Sequence, residues 1–496
     1  DTAAPKGSAW KKNVIFALMV LALAAPCFAA EADRTLRVEA IFTSEWFNPL
    51  VYGNTDKVVM HALFDTLTKF DNDGNVIPGL AKSWEKDGNK VTFHLNEAYF
   101  TDGNRVKASD VVFSFNTIMQ DSKLKFNMST WAAGCEAVDD ETVVFTLANN
   151  YCKYENFLAE LLYVVEEEGY DPDTDWASQP PVGSGPYIFE GQDNARTVKL
   201  TANPNYWNGE PAIKNVEVVA CIDDATALIA LQTGELDIAS QIGKAAYAQT
   251  ATMDGVTGVS FNGWQNSGLF DFVDDVNFRQ AVFHAINRDT LVAICLDGNG
   301  APCQDLFAAK VSGKYAGAVS FTGYDLDLAK EEIAKSEADL SRVYTIEVYD
   351  ADSAAAAQCI QADLAVIGIQ TEIVEEEVGT WFDNLMAGNM DFSIAAMGTD
   401  MVGTEDMLSI YNPNGGYPLP VSDELVQMVK NAPTIADDDE RYAEVVKTIE
   451  LAVEEAAWVP LFDAPMYYAY NSNVKGTVDV TAATCVMYVG DMSFAD

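Results

Sequence analysis

Hydrophobic and polar residues alternate along parts of the chain with the period of a strand. "TLRVEAIF" (35–42) and "KVTFHL" (90–95) place apolar residues at every second position, as half-buried strands do. At 344–377, "YTIEVYDA", "AAAAQCIQADLAVIG" and "IQTEIVEEE" follow one another as strand, helix and strand. Such a β-α-β unit packs its helix against a sheet. The pattern therefore predicts an α/β fold.

Other segments carry apolar residues at helical spacing. "DDATALIALQTGELDIAS" predicts a helix that ends near Gly234 and leads into a short strand, and 277–296 predicts a pair of helices. "FTDGNRVKASDVVFSF" predicts a tight turn followed by a helix capped by Ser109 or Asp110. A long helix within 439–462 carries one apolar face, formed by Tyr442, Val445, Ile449 and Val453.

Composition limits the class of protein and its partners. The chain has 496 residues, of which 49% are hydrophobic, a size and content that suit two or three globular domains. With 30 Lys and Arg against 75 Asp and Glu, the formal net charge is −45. A field of this sign repels nucleic acid phosphates and anionic lipids, so neither is an expected partner.

The first thirty residues have the pattern of a secretory signal. Lys11 and Lys12 precede an apolar run over 14–25, and "PCFAAEA" supplies small residues for cleavage. We therefore expect 1–30 to be a signal peptide and the mature chain to act in the periplasm or elsewhere outside the cytoplasm. A lipid anchor at Cys27 is less favoured, because Ala24 and Pro26 occupy the positions where a lipobox has Leu and a small residue.

Cysteine spacing leaves disulfide formation open. Seven cysteines follow the signal, an odd count that leaves at least one thiol unpaired: Cys135, Cys152, Cys221, Cys295, Cys303, Cys359 and Cys485. Cys135 with Cys152, and Cys295 with Cys303, flank short segments and are the two disulfide hypotheses. Free thiols are the alternative.

Signatures of catalysis are missing from the sequence. His61, His94 and His284 stand far apart, and none lies in a metal-binding motif. "VGSGPY" (182–187) is not a nucleophile elbow, and neither a P-loop nor a dinucleotide fingerprint is present. The sequence therefore predicts no enzyme, no cofactor and no metal.

Several long segments resemble one family. "GLAKSWEKDGNKVTFHLNEAYFTDGNRVKASDVVFSF" is similar to the signature of the family 5 extracytoplasmic solute-binding proteins of ABC transporters, the dipeptide-, oligopeptide- and nickel-binding group. Further similar segments follow in the family's order: "GSGPYIF", "NPNYWNGEPAIKNVEV", "ALQTGELDIAS", "VDDVNFRQAVFHAINRDTL", "ADLAVIGIQTEI" and "DDDERYAEVVKTIELAVEEAAWVPLF".

This resemblance implies a two-lobed periplasmic-binding-protein fold of type II, in the large cluster with an extra subdomain. Lobe I would comprise 31–262 and 464–496, with the accessory subdomain at about 55–180, and lobe II would comprise 263–463. Two crossing segments near 262 and 464 would form the hinge. Closure would enclose a ligand and create a composite surface for the permease.

The resemblance also implies which residues read the ligand on the lobe II side. In peptide-binding members, an Asp nine residues after the Asp of a G-x-x-D-F segment takes the ligand's ammonium group. Gly388 and Asp391 match these landmarks, so Asp400 is the expected counter-ion. The family's aromatic residue before that Asp is replaced by Met397. The remaining candidates of this segment are Gly398, Thr399, Glu405 and Asp406.

On the lobe I side, the resemblance places "TSEWFNPLVYGN" (43–54) where the first strand leaves the sheet toward the cleft. Trp46 or Phe47 would supply an aromatic wall and Asn48 an amide, with core packing as the alternative for either ring. Trp264 and Asn266, at the predicted hinge, would border the cleft.

The resemblance favours a monomeric receptor that captures a small peptide and delivers it to the permease subunits of an ABC transporter. A receptor for nickel, a metal chelate or another small solute is the alternative within the same family. An exported hydrolase that uses its carboxylates is the third hypothesis, from a different class. Binding assays separate the first two, and turnover of a ligand would support the third.

Overall fold

The computed structural model describes most of the chain after the predicted signal. The described residues are 34–40, 47–51, 57–121, 124–193, 197–220, 223–240, 242–398, 403–414, 416–463, 465–476 and 487–495. The signal peptide and Cys27 lie outside them, as do Trp46, Thr399 and Asp400.

Within these residues the strands, in chain order, are β1 Thr35–Ala40, β2 Thr68–Phe70, β3 Val76–Pro78, β4 Ala81–Asp87, β5 Lys90–Leu95, β6 Ala132–Ala137, β7 Thr142–Leu147, β8 Tyr187–Gln192, β9 Val198–Ala202, β10 Asn215–Ala220, β11 Ile238–Ala239, β12 Val256–Phe261, β13 Gln265–Asp271, β14 Val343–Val348, β15 Gln370–Glu375, β16 Phe392–Gly398, β17 Trp458–Asp463, β18 Met466–Asn471, β19 Val474–Lys475 and β20 Ser493–Phe494.

The α-helices of the same residues are α1 Lys57–Leu63, α2 Ala108–Asp121, α3 Lys125–Ser129, α4 Tyr154–Glu160, α5 Asp224–Thr233, α6 Lys244–Thr250, α7 Val276–Ala285, α8 Arg288–Cys295, α9 Ala309–Ser312, α10 Leu326–Lys335, α11 Ala351–Val366, α12 Val378–Ala387, α13 Thr404–Met407, α14 Asp423–Asn431 and α15 Asp438–Glu455.

The predicted β-α-β unit forms as β14, α11 and β15, with the two strands parallel. Asp350 begins the helix with a capping box, because its side chain accepts from the Ser353 amide while the Ser353 hydroxyl bonds back to the cap. After the helix, Gly368 takes a left-handed φ of 86°, which turns the chain back toward the sheet. The hydrophobic pattern was sufficient to predict this unit, because the strand periods, the helix cap and the glycine after the helix are all features of the local sequence.

The predicted helix before Gly234 is confirmed as α5. The residue that ends it is Gly234, with a left-handed φ of 77°. The helix predicted after the turn in "FTDGNRVKASDVVFSF" begins at Ala108, two residues earlier than a cap at Ser109 implies, so neither Ser109 nor Asp110 is its cap. Asp110 instead lies in the first turn and accepts from the amide of Lys107 at 2.8 Å.

Lobe I is built on a seven-stranded sheet with the order β12-β18-β11-β1-β10-β9-β8. Parallel pairing joins β1 to both β10 and β11, whereas β18 runs antiparallel to β11 and β12. A separate four-stranded sheet, β4-β5-β7-β6, lies between β1 and β8 in sequence. This sheet belongs to the segment in which the extra subdomain was predicted.

Lobe II is built on a five-stranded sheet with the order β15-β14-β16-β13-β17. Its central pairing is antiparallel, because β13 runs against both β16 and β17. The chain leaves the lobe I sheet after Phe261 and enters this one at Gln265, and it returns between Asp463 and Met466. Two short connections thus join the sheets.

The hydrophobic cores divide in the same way. One large cluster runs from Leu36 to Met492 and takes all of its buried members from outside 263–463. Two further clusters, which include Leu269 and Trp458, take all of their buried members from inside that range. Each lobe therefore buries its own apolar surface, and motion between the lobes does not require either core to open.

Neither of the two hypothetical disulfides is present in this structure, which has the free thiols of the alternative. Cys135, Cys152, Cys295 and Cys303 all carry free thiols. Short spacing in the sequence is a poor guide to disulfide pairing, because a disulfide depends on the separation of the sulfur atoms and not on the length of chain between them. Among the described helices, none has both the length and the apolar character needed to cross a bilayer.

Candidate functional site

The carboxyl ends of the lobe I strands meet at one edge of the sheet. Ala40 at the end of β1 is paired with Ala220 at the end of parallel β10, and β11 ends beside them at Ala239. Phe261, at the end of β12, is paired with Met466, where the chain re-enters the sheet. Ligands of open α/β sheets bind at such edges, because the loops that follow the strands converge there. Phe47 and Asn48 are the first described residues after β1.

The structure packs Phe47 and Asn48 inside lobe I. Phe47 is 0% exposed, and its ring lies 4.8 Å from that of Phe189. The Asn48 amide donates to the Tyr170 hydroxyl at 2.8 Å, while its oxygen accepts from the Leu50 amide at 3.0 Å. Phe47 and Asn48 are therefore core residues and not cleft residues, whereas the predicted role of Trp46 lies outside the described residues.

The matching edge of lobe II lies at the other end of the two connections. Gly398, the last residue of β16, is paired with Gln265, the first residue of β13. Asn266 is paired with Met397 on one side and with Asp463 on the other. β16 therefore ends beside both points where the chain crosses between the lobes.

Asn266 and Met397 differ in how their side chains are used. Asn266 is fully buried, and its amide nitrogen donates to the carbonyl of Leu306 at 3.3 Å. The Asn266 side-chain oxygen has no hydrogen-bond partner among the described residues. Met397 is half-buried and accepts at its sulfur from the Tyr417 hydroxyl at 3.8 Å, whereas Gly398 is exposed.

Trp264 lies in the outgoing connection and is 3% exposed. The ammonium group of Lys310 lies 5.0 Å from the centre of its indole ring, a cation–π distance. The backbone amide of Lys310 donates to the carbonyl of Gly263 at 2.7 Å, which fixes the connection against lobe II. Trp264 is thus a structural part of the connection.

Glu405 is buried and engaged by lobe II itself. Its carboxylate, 4% exposed as a side chain, accepts from the Tyr315 hydroxyl at 2.7 Å and lies 3.9 Å from the ammonium of Lys314. Asp406, the next residue, is half-buried. Burial first, and then the charge of Asp406, raises the pKa of Tyr151 in lobe I well above its usual value.

This carboxylate lies where the two lobes touch. The backbone amide of Cys152 in lobe I donates to the carbonyl of Pro433 in lobe II at 2.9 Å. A methyl group added to Gly403 would lie 3.0 Å from Cε of Lys153. Burial, followed by the charge of Glu405, raises the pKa of the Cys152 thiol to about 11. We call this set the buried contact: Cys152, Lys153, Gly403, Glu405 and Pro433.

A second contact joins the lobes at their surface. Lys244, the first residue of α6 in lobe I, lies with its ammonium 2.5 Å from a carboxylate oxygen of Asp297. The same ammonium donates to the carbonyl of Cys295 at 3.3 Å. Asp297 takes a left-handed φ of 49°, and its side chain remains 70% exposed. We call Lys244, Cys295 and Asp297 the exposed contact.

Sequence reasoning did not find Lys153, Tyr315 or Lys244. A single Lys or Tyr on a helix or loop forms no recognisable sequence motif. Its partner is distant in sequence, either in the other lobe or in another part of the same lobe. The described residues hold no group of three or more His, Cys, Asp or Glu that could bind a metal ion.

Comparison with known proteins gives a family match. A family model described as "Bacterial extracellular solute-binding proteins, family 5 Middle" matches residues 75–418. Di/tripeptide-binding protein 2 of Pseudomonas aeruginosa is 24% identical, over 93% of this chain and 95% of that protein.

Solved structures of the same architecture superpose over nearly the whole chain. The ABC transporter-associated periplasmic binding protein DppA from Helicobacter pylori, in complex with the peptide STSA, has a TM-score of 0.79 at 24% identity and covers 93% of this chain and 98% of that chain. NikA from Brucella suis, in complex with Fe(III)-EDTA, has a TM-score of 0.80 at 20% identity, and the match covers 93% of this chain and 100% of that chain. These likenesses establish the two-lobed fold.

Proposed function

Since the chain belongs to the bacterial extracellular solute-binding proteins of family 5, we propose that it captures a short peptide between its lobes and presents it to the permease of an ABC importer. The predicted signal at 1–30 agrees with the family's place outside the cytoplasm. The proposal gives the protein a binding role without a chemical step.

The observation that carries the proposal is the meeting of two sheet edges at the crossing points. Ala40 and Ala220 end their strands on the lobe I side, and Gly398 ends β16 on the lobe II side. A ligand held between these edges contacts both lobes at once. Its binding energy then favours the closed arrangement over the open one.

A peptide fits the charge of this region. Asp400 follows β16 by two residues, and Asp406 lies further along the same segment. A carboxylate in a cleft from which water is excluded pairs well with an α-ammonium group, because an unpaired charge there is costly. A relative named for di- and tripeptides, 24% identical over most of both chains, supports the same ligand class.

The connections 262–264 and 464–465 would serve as the hinge. Each lobe keeps its own core, so rotation about these short segments changes few buried contacts. The buried and exposed contacts would then be made on closure and broken on opening.

Calorimetry against a panel tests the ligand class. The panel holds di- to hexapeptides, nickel with and without free histidine, and oligosaccharides. We expect heat of binding with peptides only. Saturable binding of nickel–histidine without any peptide binding would overturn the peptide proposal in favour of a metal-chelate receptor.

A charge deletion tests the anchor. Truncating one partner of a buried charge pair costs about 2–5 kcal/mol, so Asp400→Ala is expected to weaken a free-amine peptide at least tens-fold. An N-acetylated peptide should bind the wild type poorly and lose little more in the variant. Glu372→Gln changes an exposed carboxylate on the edge strand β15 and is the matched control. The selective loss appearing in Asp406→Ala instead would move the anchor to Asp406.

A further inference from the structure

Two cysteines from distant parts of the sequence lie side by side in lobe II. Cys295 is the last residue of α8, and Cys359 lies in the middle of α11. Each thiol alters the pKa of the other, as neighbouring groups do. Of the five cysteines that the structure describes, these two are the pair linked in this way.

The packing of α8 on α11 holds the two sulfur atoms in place. At the start of α8, the Asn287 amide donates to the carboxylate of Asp363 on α11 at 2.9 Å. Between the helices, Leu291 and Ile360 are 0% exposed and belong to one apolar cluster, against which both cysteines pack. The Asn287–Asp363 hydrogen bond and the core contacts therefore hold the two helices together where both cysteines lie.

Water and small molecules can reach this pair. Both cysteines are half-buried, while their neighbours Ile294 and Gln358 are exposed. By contrast, Cys303 is buried and its sulfur faces the Asn266 amide at 3.6 Å. Access combined with a fixed sulfur partner is what an oxidisable dithiol requires.

We propose that Cys295 and Cys359 form a dithiol site that a low-molecular-weight disulfide, such as oxidised glutathione, converts into an intramolecular disulfide. In the first step, the Cys359 thiolate attacks one sulfur of oxidised glutathione, forms a mixed disulfide and releases one glutathione thiolate. Cys295 then loses its proton and attacks the Cys359 sulfur, which releases the second glutathione. Two protein thiols are oxidised, one disulfide is reduced to two thiols, and the two protons pass to the glutathione thiolates.

The expected order of attack follows from the different surroundings of the two thiols. Burial raises the pKa of Cys295 to about 11. Burial, and then the charge of Asp363, also raises the pKa of Cys359, whereas the neighbouring Cys295 thiol lowers it. Cys359 is therefore the better nucleophile, and exchange is expected to accelerate as the pH rises from 7 toward 9 because the thiolate is the reactive form.

The site also adjoins the exposed contact between the lobes. The carbonyl of Cys295 is an acceptor for Lys244, and Asp297 lies two residues further on. A disulfide to α11 would fix the lobe II side of that contact to the helix beneath it.

Peptide mapping of the full-length protein tests the proposal. The reduced, folded protein is treated with oxidised glutathione, the remaining thiols are alkylated, and the digest is analysed by mass spectrometry. We expect a peptide that links Cys295 to Cys359, while Cys303 becomes alkylated only after denaturation. A linkage of Cys295 to Cys303, or complete alkylation of both Cys295 and Cys359 after the treatment, would overturn the proposal.

Single variants test the order of the two steps. Cys295→Ser should leave Cys359 as a stable mixed disulfide with one glutathione. In Cys359→Ser, reaction at Cys295 should be at least several-fold slower than at Cys359 in the wild type. Cys152→Ser is the matched control and should form the linkage at the wild-type rate, and retained circular dichroism checks that each variant folds. Equal reaction rates at the two cysteines would contradict the assigned order.

Discussion

The two contacts between the lobes differ in how far water reaches them. At the buried contact, Glu405 is 4% exposed as a side chain and receives a hydrogen bond from Tyr315. At the exposed contact, Asp297 is 70% exposed and Lys244 is 36% exposed. One contact therefore removes a carboxylate from water, whereas the other leaves both charges solvated.

This difference decides what each contact can contribute. A solvated ion pair gains little, because water and salt screen the charges and two flexible side chains must be ordered. A buried carboxylate must keep its donors, because losing one leaves an unsatisfied polar group in a region of low dielectric constant. We therefore expect Glu405, through Tyr315 of its own lobe, to contribute more to stability than Asp297 does, and the buried contact to influence closure more than the exposed contact.

The largest expected effect is at Glu405. Glu405→Ala leaves the Tyr315 hydroxyl without its acceptor and should lower the free energy of unfolding by about 1–3 kcal/mol. Chemical denaturation followed by tryptophan fluorescence measures this. Asp297→Ala, at the exposed contact, is the matched variant and should change the same quantity by less than about 0.5 kcal/mol. Equal losses in the two variants would remove the distinction between the contacts.

An intermediate effect is expected at Gly403, which lies beside Lys153 of the other lobe. Gly403→Ala places a methyl group 3.0 Å from Cε of Lys153 in the other lobe. The contact with flexible Lys153 should lower peptide affinity by about five-fold. Gly403 also has φ 158° and ψ 156°, a conformation that residues other than glycine adopt only with strain, so the melting temperature should fall as well.

A second substitution makes this prediction specific. Lys153→Ala removes the atoms that the methyl group meets, so the double variant should bind with the affinity of Lys153→Ala alone. If the loss persists in the double variant, the effect of the methyl group arises within lobe II and not between the lobes.

The smallest effect is expected at Lys244. Lys244→Gln removes a solvated charge, so peptide affinity should change by less than about three-fold, and the difference should vanish at high salt. Calorimetry at two ionic strengths measures both. A salt-independent loss larger than that of Gly403→Ala would mean that the exposed contact controls closure.

Much of the fold could be predicted because its signals are local. The unit β14-α11-β15 follows from the hydrophobic pattern, whose period changes from that of a strand to that of a helix and back, and from the cap at Asp350. Gly234 marks the end of α5. Family resemblance then supplied the two lobes, which no local pattern specifies.

The contacts between distant residues could not be predicted in the same way. Cys359 neighbours Cys295 only because α8 packs on α11, and Cys152 meets Pro433 only because the lobes come together. The predicted pairs Cys135–Cys152 and Cys295–Cys303 were inferred from short spacing, which does not determine where side chains point. For Phe47 and Asn48, a place after the first strand predicted a cleft position, whereas their side chains turn into the core.

Small-angle scattering tests the central claim, that ligand binding closes the two lobes. The protein is measured without ligand and with a saturating amount of the peptide that binds most tightly by calorimetry. If the connections 262–264 and 464–465 act as the hinge, the radius of gyration should fall when the peptide is added. An unchanged radius at a concentration where calorimetry shows full occupancy would contradict closure.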